Sequence, residues 1–272
     1  MERIQPYIIE GKKLKTEKKV KIKAVDLIGY LILFAVIVGI LTGVYKILQS
    51  LQSISKYSTY FITGILYTIG LSMISVFNGT IIGTATAFAK MSECKPASVI
   101  ASIYIEIIRG TPLITQLFIV FFGAAALFNT KEWGLPIATL AFIAGIVAVS
   151  LNSGAYVAEI VRSGIQSVDK GQMEAGRSLG MSKKMTMREI IIPQATKNIL
   201  PALGNEFITV IKETSIVSVI GVTDIMYNVN IVRGMSFRSM EPLFMAAILY
   251  FVLTFTLSKL VNKWEGKLKQ SD

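Results

Sequence analysis

Long stretches without charge dominate the pattern of this chain. Four runs contain no Asp, Glu, Lys or Arg, at residues 27–45, 57–89, 133–158 and 242–258. Two further apolar runs, at 96–128 and 198–220, carry only a few charges. A helix of roughly 20 apolar residues crosses the ~30 Å hydrocarbon core of a bilayer, so the pattern predicts six transmembrane segments.

These runs are longer and more uniform than the strands of a membrane barrel, which alternate over about ten residues. In lipid every backbone N–H and C=O group needs a partner, and a helix supplies all of them internally. We therefore predict an all-α membrane protein, a bundle of six transmembrane helices. The 57–89 run exceeds a straight crossing, so it must project into water, tilt or break, with Asn78-Gly79 as the expected weak point.

Lysine and arginine are concentrated in alternate gaps between the predicted spans. They lie mainly before the first span, between the second and third, after the fourth and after the last. The positive-inside rule then places both termini and the polar segment 163–197 in the cytoplasm. The net charge of +11 is mostly this topology signal rather than a sign of nucleic-acid binding. Residues 1–26 and 265–272 are predicted to be cytoplasmic tails.

Composition excludes several chemistries. The chain has no histidine, so it lacks Ser-His-Asp and Cys-His catalytic sets and histidine-containing zinc sites. It also lacks the G-x-x-x-x-G-K-[ST] loop that cradles ATP. Its single cysteine, Cys94, cannot form an internal disulfide. We therefore expect a protein that is not an enzyme and that binds no metal or cofactor itself.

The third apolar run carries a charged pair beside helix-weakening residues. Glu106 and Arg109 are three residues apart, so on a helix they share a face and can form an ion pair. Gly110 and Pro112 favour a helix break next to them. Charge at membrane depth is costly unless it faces protein or a wet cavity. The pair therefore either lines a permeation path or fixes helix packing near the cytoplasmic side.

Polar side chains also mark the fourth and fifth runs. Asn152, Tyr156 and Glu159 lie near one helical face, where an amide, a phenol and a carboxylate could bind an ammonium group. Glu159 could instead simply pair with Arg162. In the fifth run, Lys212 and the glutamate after it point about 100° apart, so at least one of them faces the bundle.

Two pairs of glycines have the small-x-x-x-small spacing of close helix contacts. They are Gly39 with Gly43 in the first run, and Gly79 with Gly83 in the second. Such pairs are common in membrane helices and indicate packing rather than function.

A polar segment of about 35 residues, 163–197, separates the fourth and fifth runs. Asp169 can cap a helix, with Gln172 completing a capping-box-like pair. Gly180 suits a left-handed helix end, Ser182 can cap a second short helix, and Pro193 marks the end region of that helix. Connectors between spans need only a few residues. A long insertion of two helices therefore indicates a binding partner.

The polar segment resembles the EAA loop of permease subunits of ABC importers. Residues 173–180 read Met-Glu-Ala-Gly-Arg-Ser-Leu-Gly, and Ile-Ile-Ile-Pro follows at 190–193. The segments 156–166, 108–113 and 212–215 are similar to the polar amino-acid uptake branch of these binding-protein-dependent inner membrane components. The likeness covers about residues 58–263. Gly176 stands where alanine is usual, which costs about 1 kcal/mol of helix stability.

The resemblance implies a type I importer permease. Its five-helix core would span 57–264 and contain a cytoplasmic coupling-helix loop at 163–197, with one additional N-terminal helix at 27–49. It implies two ATPase subunits that hold ATP and Mg, a second permease subunit in a homodimer, and an extracytoplasmic substrate-binding protein. The protein would lie in the lipid of the cytoplasmic membrane, bind no nucleic acid, and import a polar amino acid by alternating access.

The resemblance and the polar stripes together assign roles to residues. The predicted ATPase-docking residues are Glu174, Ala175, Gly176, Arg177, Gly180 and Pro193. The predicted substrate-path residues are Arg109, Asn152, Glu159 and Lys212. Two alternatives stay open from the sequence, an ion-coupled secondary transporter and a non-transporting membrane scaffold. The long basic loop favours the importer over both.

Overall fold

The computed structural model describes residues 28–39, 41–43, 45, 55–127 and 135–269. The chain divides into two units, Met1–Ser55 and Lys56–Asp272. In the first unit, the described residues form one apolar helix, α1 (Ile28–Gly43). The described residues contain no β-strand, which confirms the all-α prediction. The predicted basic tail at 1–26 lies outside the described residues.

The second unit is built from helices, several of which are joined by short turns. Its described α-helices are α2 (Ser58–Lys90), α3 (Lys95–Gly110), α4 (Leu113–Leu127), α5 (Ile137–Gln166), α6 (Lys170–Ser178), α7 (Lys183–Thr186), α8 (Ile192–Glu213), α9 (Ile225–Ser236) and α10 (Glu241–Lys269). A π-helical turn, Met187–Ile191, joins α7 to α8, and a 3-10 helix, Thr214–Ile220, follows α8.

Three of these helices, α2, α5 and α10, are long and apolar enough to cross a membrane. Two bent pairs also qualify if each is one broken span: α3 with α4, bent by 108°, and the 183–220 segment with α9, bent by 52°. The described part of the second unit therefore provides between three and five crossings. The sequence-based count of six for the whole chain stays a prediction.

Helix α2 contains no break at Asn78-Gly79 and runs unbroken for 33 residues. A Cβ atom on Gly79 would lie 3.0 Å from the Cβ of Ser153, and one on Gly83 would lie 2.5 Å from the Gly154 carbonyl oxygen. Both glycines therefore face α5 and allow the two backbones to approach closely. The expected weak point is instead a packing site, which confirms the interpretation of the second glycine pair.

Helices α2 and α5 run in the same direction. Gly79 meets Ser153, and Gly83 meets Val157 farther along both helices. The turn after α2 and the polar loop after α5 therefore lie on the same side of the bundle. An ion pair of 2.7 Å between Glu93 in that turn and Lys183 in the loop agrees with this arrangement. The two segments were predicted to share a side from charge alone.

The buried core consists of two apolar clusters along α5. One lies at the N-terminal half of α5 and includes Leu71, Leu117, Val149, Val210 and Val217. The other lies next to the polar loop and includes Ala87, Ile105, Val157, Ile191 and Ala195. The second cluster contains residues of α2, α3, α5 and the π turn, so the polar loop is packed onto the membrane helices.

Candidate functional site

The two short helices of the polar loop begin at the predicted caps. The carboxylate of Asp169 accepts a hydrogen bond of 2.6 Å from the Gly171 N–H at the start of α6. The hydroxyl of Ser182 accepts one of 3.2 Å from the Met185 N–H at the start of α7. Each bond satisfies a backbone donor that the first helical turn leaves unpaired.

Helix α6 ends at Ser178, and Gly180 takes the left-handed position after it, as predicted. Gly180 has φ +82°, and its N–H donates to the Arg177 carbonyl at 3.1 Å. The N–H of Met181 donates to the Gly176 carbonyl, also at 3.1 Å. This pair of bonds is the Schellman motif, in which glycine takes the left-handed position without the strain of a Cβ atom. The turn between α6 and α7 is therefore fixed at both ends.

Gly176 is buried where α6 packs against α7 and the π turn. A Cβ atom there would lie 2.6 Å from Thr186 Cγ2 and 3.2 Å from Ile190 Cδ1. Thr186 is fully buried, and its hydroxyl donates to the Ser182 carbonyl at 3.1 Å. The glycine at this position therefore serves helix packing, which offsets the helix stability that it costs α6.

Pro193 lies in the first turn of α8, so the prediction that it marks the end of the second loop helix is wrong. The helical path continues from α7 through the π turn into α8. Because this path is continuous, the missing N–H of Pro193 leaves a gap in the backbone hydrogen bonds where the π turn passes into α8. The side chain of Gln194 donates to Gln172 Oε1 at 3.4 Å, so Gln172 contacts the start of α8 rather than completing a capping box.

The outer face of α6 is exposed and mostly polar. Of the predicted docking residues, Gly176 is buried, and the exposed ones are Glu174, Ala175, Arg177, Gly180 and Pro193. Leu179 is 82% exposed beside them. The sequence-based prediction missed Leu179, although a leucine directly before the helix-ending glycine of a charged segment was an available signal. The exposed residues leave the face open to a partner.

The Glu93–Lys183 pair joins the α2–α3 turn to α7. Lys183 lowers the pKa of the Glu93 carboxyl, first through their hydrogen bond and then through its charge. Both side chains are largely exposed, so the pair contributes little to stability. It marks where two polar segments meet on one side of the bundle.

The helix break predicted at Gly110 is confirmed, and a polar network holds it. Helix α3 ends at Gly110, and Thr111 is extended. The side-chain amide of Gln116 donates to the Ile108 carbonyl at 2.7 Å, and Asn152 donates to Gln116 Oε1 at 3.0 Å. The side chain of Asn152 is thus buried against the elbow between α3 and α4, where it supports the bend.

Arg109 stacks on an aromatic ring of α5. Its guanidinium carbon lies 5.3 Å from the centroid of the Tyr156 ring, within the range of a cation–π contact. Among the ion pairs of the described residues, none joins Arg109 to Glu106, so the predicted pair does not form. Both charged side chains are exposed on the surface of this single chain.

Glu159 is held by two cations of its own chain. Lys90 Nζ donates to Oε1 at 2.7 Å, and Arg162 donates to Oε2 from Nε at 2.9 Å and from Nη2 at 2.6 Å. The side chain of Glu159 is 19% exposed. The pairing with Arg162 was one of the sequence-based alternatives, whereas Lys90 was not predicted as a partner.

Glu206 is a buried carboxylate that sequence reasoning did not select. It is 9% exposed on α8, and its Oε1 accepts a hydrogen bond of 2.9 Å from Ser153 on α5. Lys212, which was selected, is exposed near the end of α8. The available signal for Glu206 was its position as an isolated acid inside an apolar run.

The contacts of Glu206 and Arg109 converge on one turn of α5. Glu206 touches Ser153, and Arg109 lies over Tyr156, which is three residues farther along. Residues three apart on a helix are neighbours on one face. A carboxylate and a guanidinium from two other helices therefore approach the same short stretch of α5.

Residues 79–265 match the family model described as the binding-protein-dependent transport system inner membrane component. The chain belongs to this family. The matched residues include the part of α2 that contacts α5, the polar loop and most of α10. Every candidate site residue therefore lies within the matched region.

Curated relatives of this inner membrane component are transport permeases. This chain is 40% identical over 213 residues to the arginine transport system permease protein ArtQ of Bacillus subtilis (strain 168). The alignment covers 78% of this chain and 94% of the relative. The chain is 39% identical over 209 residues to the putative glutamine transport system permease protein GlnP of Rickettsia bellii (strain RML369-C), covering 77% and 93%.

Solved structures show the same fold. A chain from the crystal structure of an amino acid ABC transporter with histidines is 48% identical, with a TM-score of 0.73 over 79% of this chain and 97% of that one. A chain of the MetNI methionine ABC transporter in an inward-facing conformation has a TM-score of 0.63 at 17% identity and shares the fold. This inner membrane component is therefore a transport permease subunit and not an enzyme.

Proposed function

We propose that this permease forms half of the membrane path of an ATP-driven importer, which moves a polar amino acid into the cytoplasm by alternating access. The observation that carries the proposal is the polar loop, capped at Asp169 and Ser182 and packed through Gly176 and Thr186. Similarity to permeases named for arginine and glutamine transport supports an amino acid as the substrate.

The loop would serve as the docking site of a separate ATPase subunit. A lever that transmits force needs a rigid body and an exposed contact face, and α6 has both: a fixed turn at Gly180 and an exposed face with Glu174, Arg177 and Leu179. The chain has no ATP-cradling loop. ATP and Mg would therefore bind to the ATPase, whose closure would displace α6 and rock the membrane helices.

The exposed charges of the membrane segments support a second permease subunit. Glu106, Arg109 and Lys212 are exposed on this chain, within runs predicted to span the membrane. Ionisable groups in a membrane segment face protein or a water-filled cavity rather than lipid. A second copy of the chain would cover these groups and enclose a polar path between the two subunits, with an extracytoplasmic binding protein delivering the substrate.

Glu206 and Arg109 match the two charges that every amino acid carries on its backbone. The carboxylate of Glu206 suits the ammonium group, and the guanidinium of Arg109 suits the carboxylate, which it can bind in a bidentate manner. Both approach the turn of α5 that contains Ser153 and Tyr156. We place the substrate path along this turn, with Arg109 as its sequence-predicted member and Glu206 as an addition.

Uptake measurements test the proposal. Cells with and without the chain are compared for uptake of radiolabelled arginine, glutamine and other polar amino acids. One arm depletes ATP, and another collapses ion gradients while ATP is maintained. Chain-dependent uptake should stop on ATP depletion and continue without ion gradients. Uptake that follows the ion gradient instead would favour a secondary transporter, and the absence of chain-dependent uptake would favour a scaffold.

A further inference from the structure

The carboxylate of Glu159 already accepts hydrogen bonds from Lys90 and Arg162 at both oxygens, which takes most of its acceptor capacity. The two positive charges beside it also oppose the approach of a substrate ammonium group. Three charge-assisted hydrogen bonds of 2.6 to 2.9 Å reach the carboxylate from these two side chains. Such bonds are roughly twice as strong as neutral ones. Lys90, Glu159 and Arg162 together form the Glu159 latch.

The Glu159 latch joins the two long parallel helices at the ends nearest the polar loop. Lys90 is the last residue of α2, and its carbonyl also accepts a hydrogen bond of 2.8 Å from Ser98 in the first turn of α3. Helix α5 continues past Glu159 to Gln166, which accepts a 2.6 Å bond from Arg162. Only three residues then separate α5 from α6.

The latch adds a second attachment to the glycine contact. The glycines of α2 already bring the two helices together at Gly83 and Gly79, about two and three turns before the end of α2. Without the latch, the last turn of α2 would be held to α5 by apolar packing that includes Ala87. With it, a displacement of α5 by the loop also moves the end of α2 and the start of α3.

We propose that Glu159 is a positioning residue that couples movement of the polar loop to α2 and α3, rather than a contact of the transported amino acid. This rests on the proposed function, since it describes how an ATPase docked on the loop moves the membrane helices. The pair is part-buried, at 26% exposure for Lys90 and 19% for Glu159, so solvent screens it less than the exposed Glu93–Lys183 pair.

Neutralising either member of the Lys90–Glu159 pair should loosen coupling and leave substrate recognition intact. The test uses Glu159→Gln, Lys90→Met and the double variant in the complete transporter, reconstituted in proteoliposomes with its ATPase and binding protein. The readouts are ATP hydrolysed per amino acid imported and the amino acid concentration that gives half-maximal uptake. Lys95→Met is the matched control, since Lys95 is the first residue of α3, across the α2–α3 turn from Lys90, and forms no described ion pair with Glu159.

We expect each single variant to raise ATP hydrolysed per amino acid by about threefold or more, within the range that coupling mutations produce. The double variant should resemble the single ones, because both remove the same bond. The amino acid concentration that gives half-maximal uptake should keep its wild-type value in these variants. Lys95→Met should behave as wild type on both readouts. If Glu159→Gln fails to assemble, the same two readouts in Lys90→Met decide the question. That variant keeps the Glu159–Arg162 pair.

Two results would overturn the inference. One is a wild-type ratio of ATP to amino acid in both single variants. The other is a raised half-maximal concentration for Glu159→Gln at a wild-type ratio, which would make Glu159 a substrate contact. A wild-type complex that imports no amino acid with ATP would instead refute the proposed function, so the two failures are distinguishable.

Discussion

At the scale of single residues, Gly176 and Thr186 compete for one space inside the polar loop. The methyl carbon of Thr186 would lie 2.6 Å from any Cβ atom on Gly176. Thr186 is fully buried, so it has little room to move away. An alanine at this position would gain about 1 kcal/mol of helix propensity. It would lose about 1–3 kcal/mol through overpacking, which is the larger effect.

Gly176→Ala is therefore expected to destabilise the loop by about 1 kcal/mol, the difference between these two effects. Adding Thr186→Ser to Gly176→Ala should restore the stability of the loop. It removes the methyl group that crowds the new Cβ atom and keeps the hydroxyl bond to the Ser182 carbonyl. Hydrogen exchange of the α6 and α7 amides measures both. Gly234→Ala is the control, since a Cβ atom there meets nothing within 4 Å. Equal protection in Gly176→Ala and wild type would contradict the packing argument.

Glu206→Gln tests the buried carboxylate. Glutamine keeps an oxygen for the Ser153 hydroxyl but carries no charge, so the fold should survive while the attraction for an ammonium group is lost. A charged hydrogen bond contributes about 1.5–3 kcal/mol, so uptake at low substrate concentration should fall roughly 10-fold or more. Glu241→Gln, which changes an acid near the start of α10, is the control. Unchanged initial uptake rates in Glu206→Gln would remove Glu206 from the path.

At the scale of elements, glycine and proline have different effects in different surroundings. Gly110 and Pro112 break the third run as predicted, and a Cβ atom on Gly110 would meet nothing within 4 Å. Gly79 does not break α2, because its face is filled by α5. Pro193 lies in the first turn of α8 rather than ending a helix. The residue types were visible in the sequence, whereas the partner that decides their effect comes from tertiary packing.

Gly83→Ala should be the most damaging change on the face of α2 that meets α5. Its Cβ atom would lie 2.5 Å from a backbone oxygen of Gly154 and 2.6 Å from Val157 Cβ, neither of which can rotate away. We expect a loss of about 1–3 kcal/mol. Thermal unfolding in detergent measures it, with Gly70→Ala as the control because nothing lies within 4 Å of that position. Equal stability of the two variants would contradict close α2–α5 contact.

The caps and the apolar runs were predictable because they depend on local sequence. Asp169, Gly180 and Ser182 act within their own turns, and all three lie where their residue types predict. The partners of Glu159 and Glu206 were less predictable, because Lys90 and Ser153 are 69 and 53 residues away in the chain. Such pairs become visible only when the helices are placed side by side.

At the scale of the whole molecule, the distribution of charge and the packing of the helices agree that the α2–α3 turn and the polar loop lie on the same side of the bundle. The parallel course of α2 and α5 and the Glu93–Lys183 pair place the α2–α3 turn beside the polar loop. The excess of lysine and arginine predicts that this side is cytoplasmic. It follows that an ATPase could reach the loop from the compartment that contains ATP.

Cys94 reports this sidedness directly, because it is exposed in the α2–α3 turn. A membrane-impermeant thiol reagent should fail to label it in intact cells and should label it in inside-out vesicles. A cysteine introduced at the exposed Ser178 of α6 should show the same pattern. Labelling of Cys94 in intact cells would place both segments outside and would contradict the topology.

The polar loop should hold a separate ATPase, and copurification tests this most directly. The tagged chain is purified in mild detergent and its partners are identified, for wild type, Glu174→Lys and Gly180→Val. Gly180 has φ +82°, which a β-branched residue resists, and Glu174 lies on the exposed face of α6. Glu189→Lys is the control, because it makes the same charge change at an exposed position of the loop that lies outside α6.

Wild type and Glu189→Lys should each bring down an ABC ATPase and a second permease subunit. Glu174→Lys and Gly180→Val should lose the ATPase and keep the second permease. Normal copurification of the ATPase with both of these variants would contradict the account.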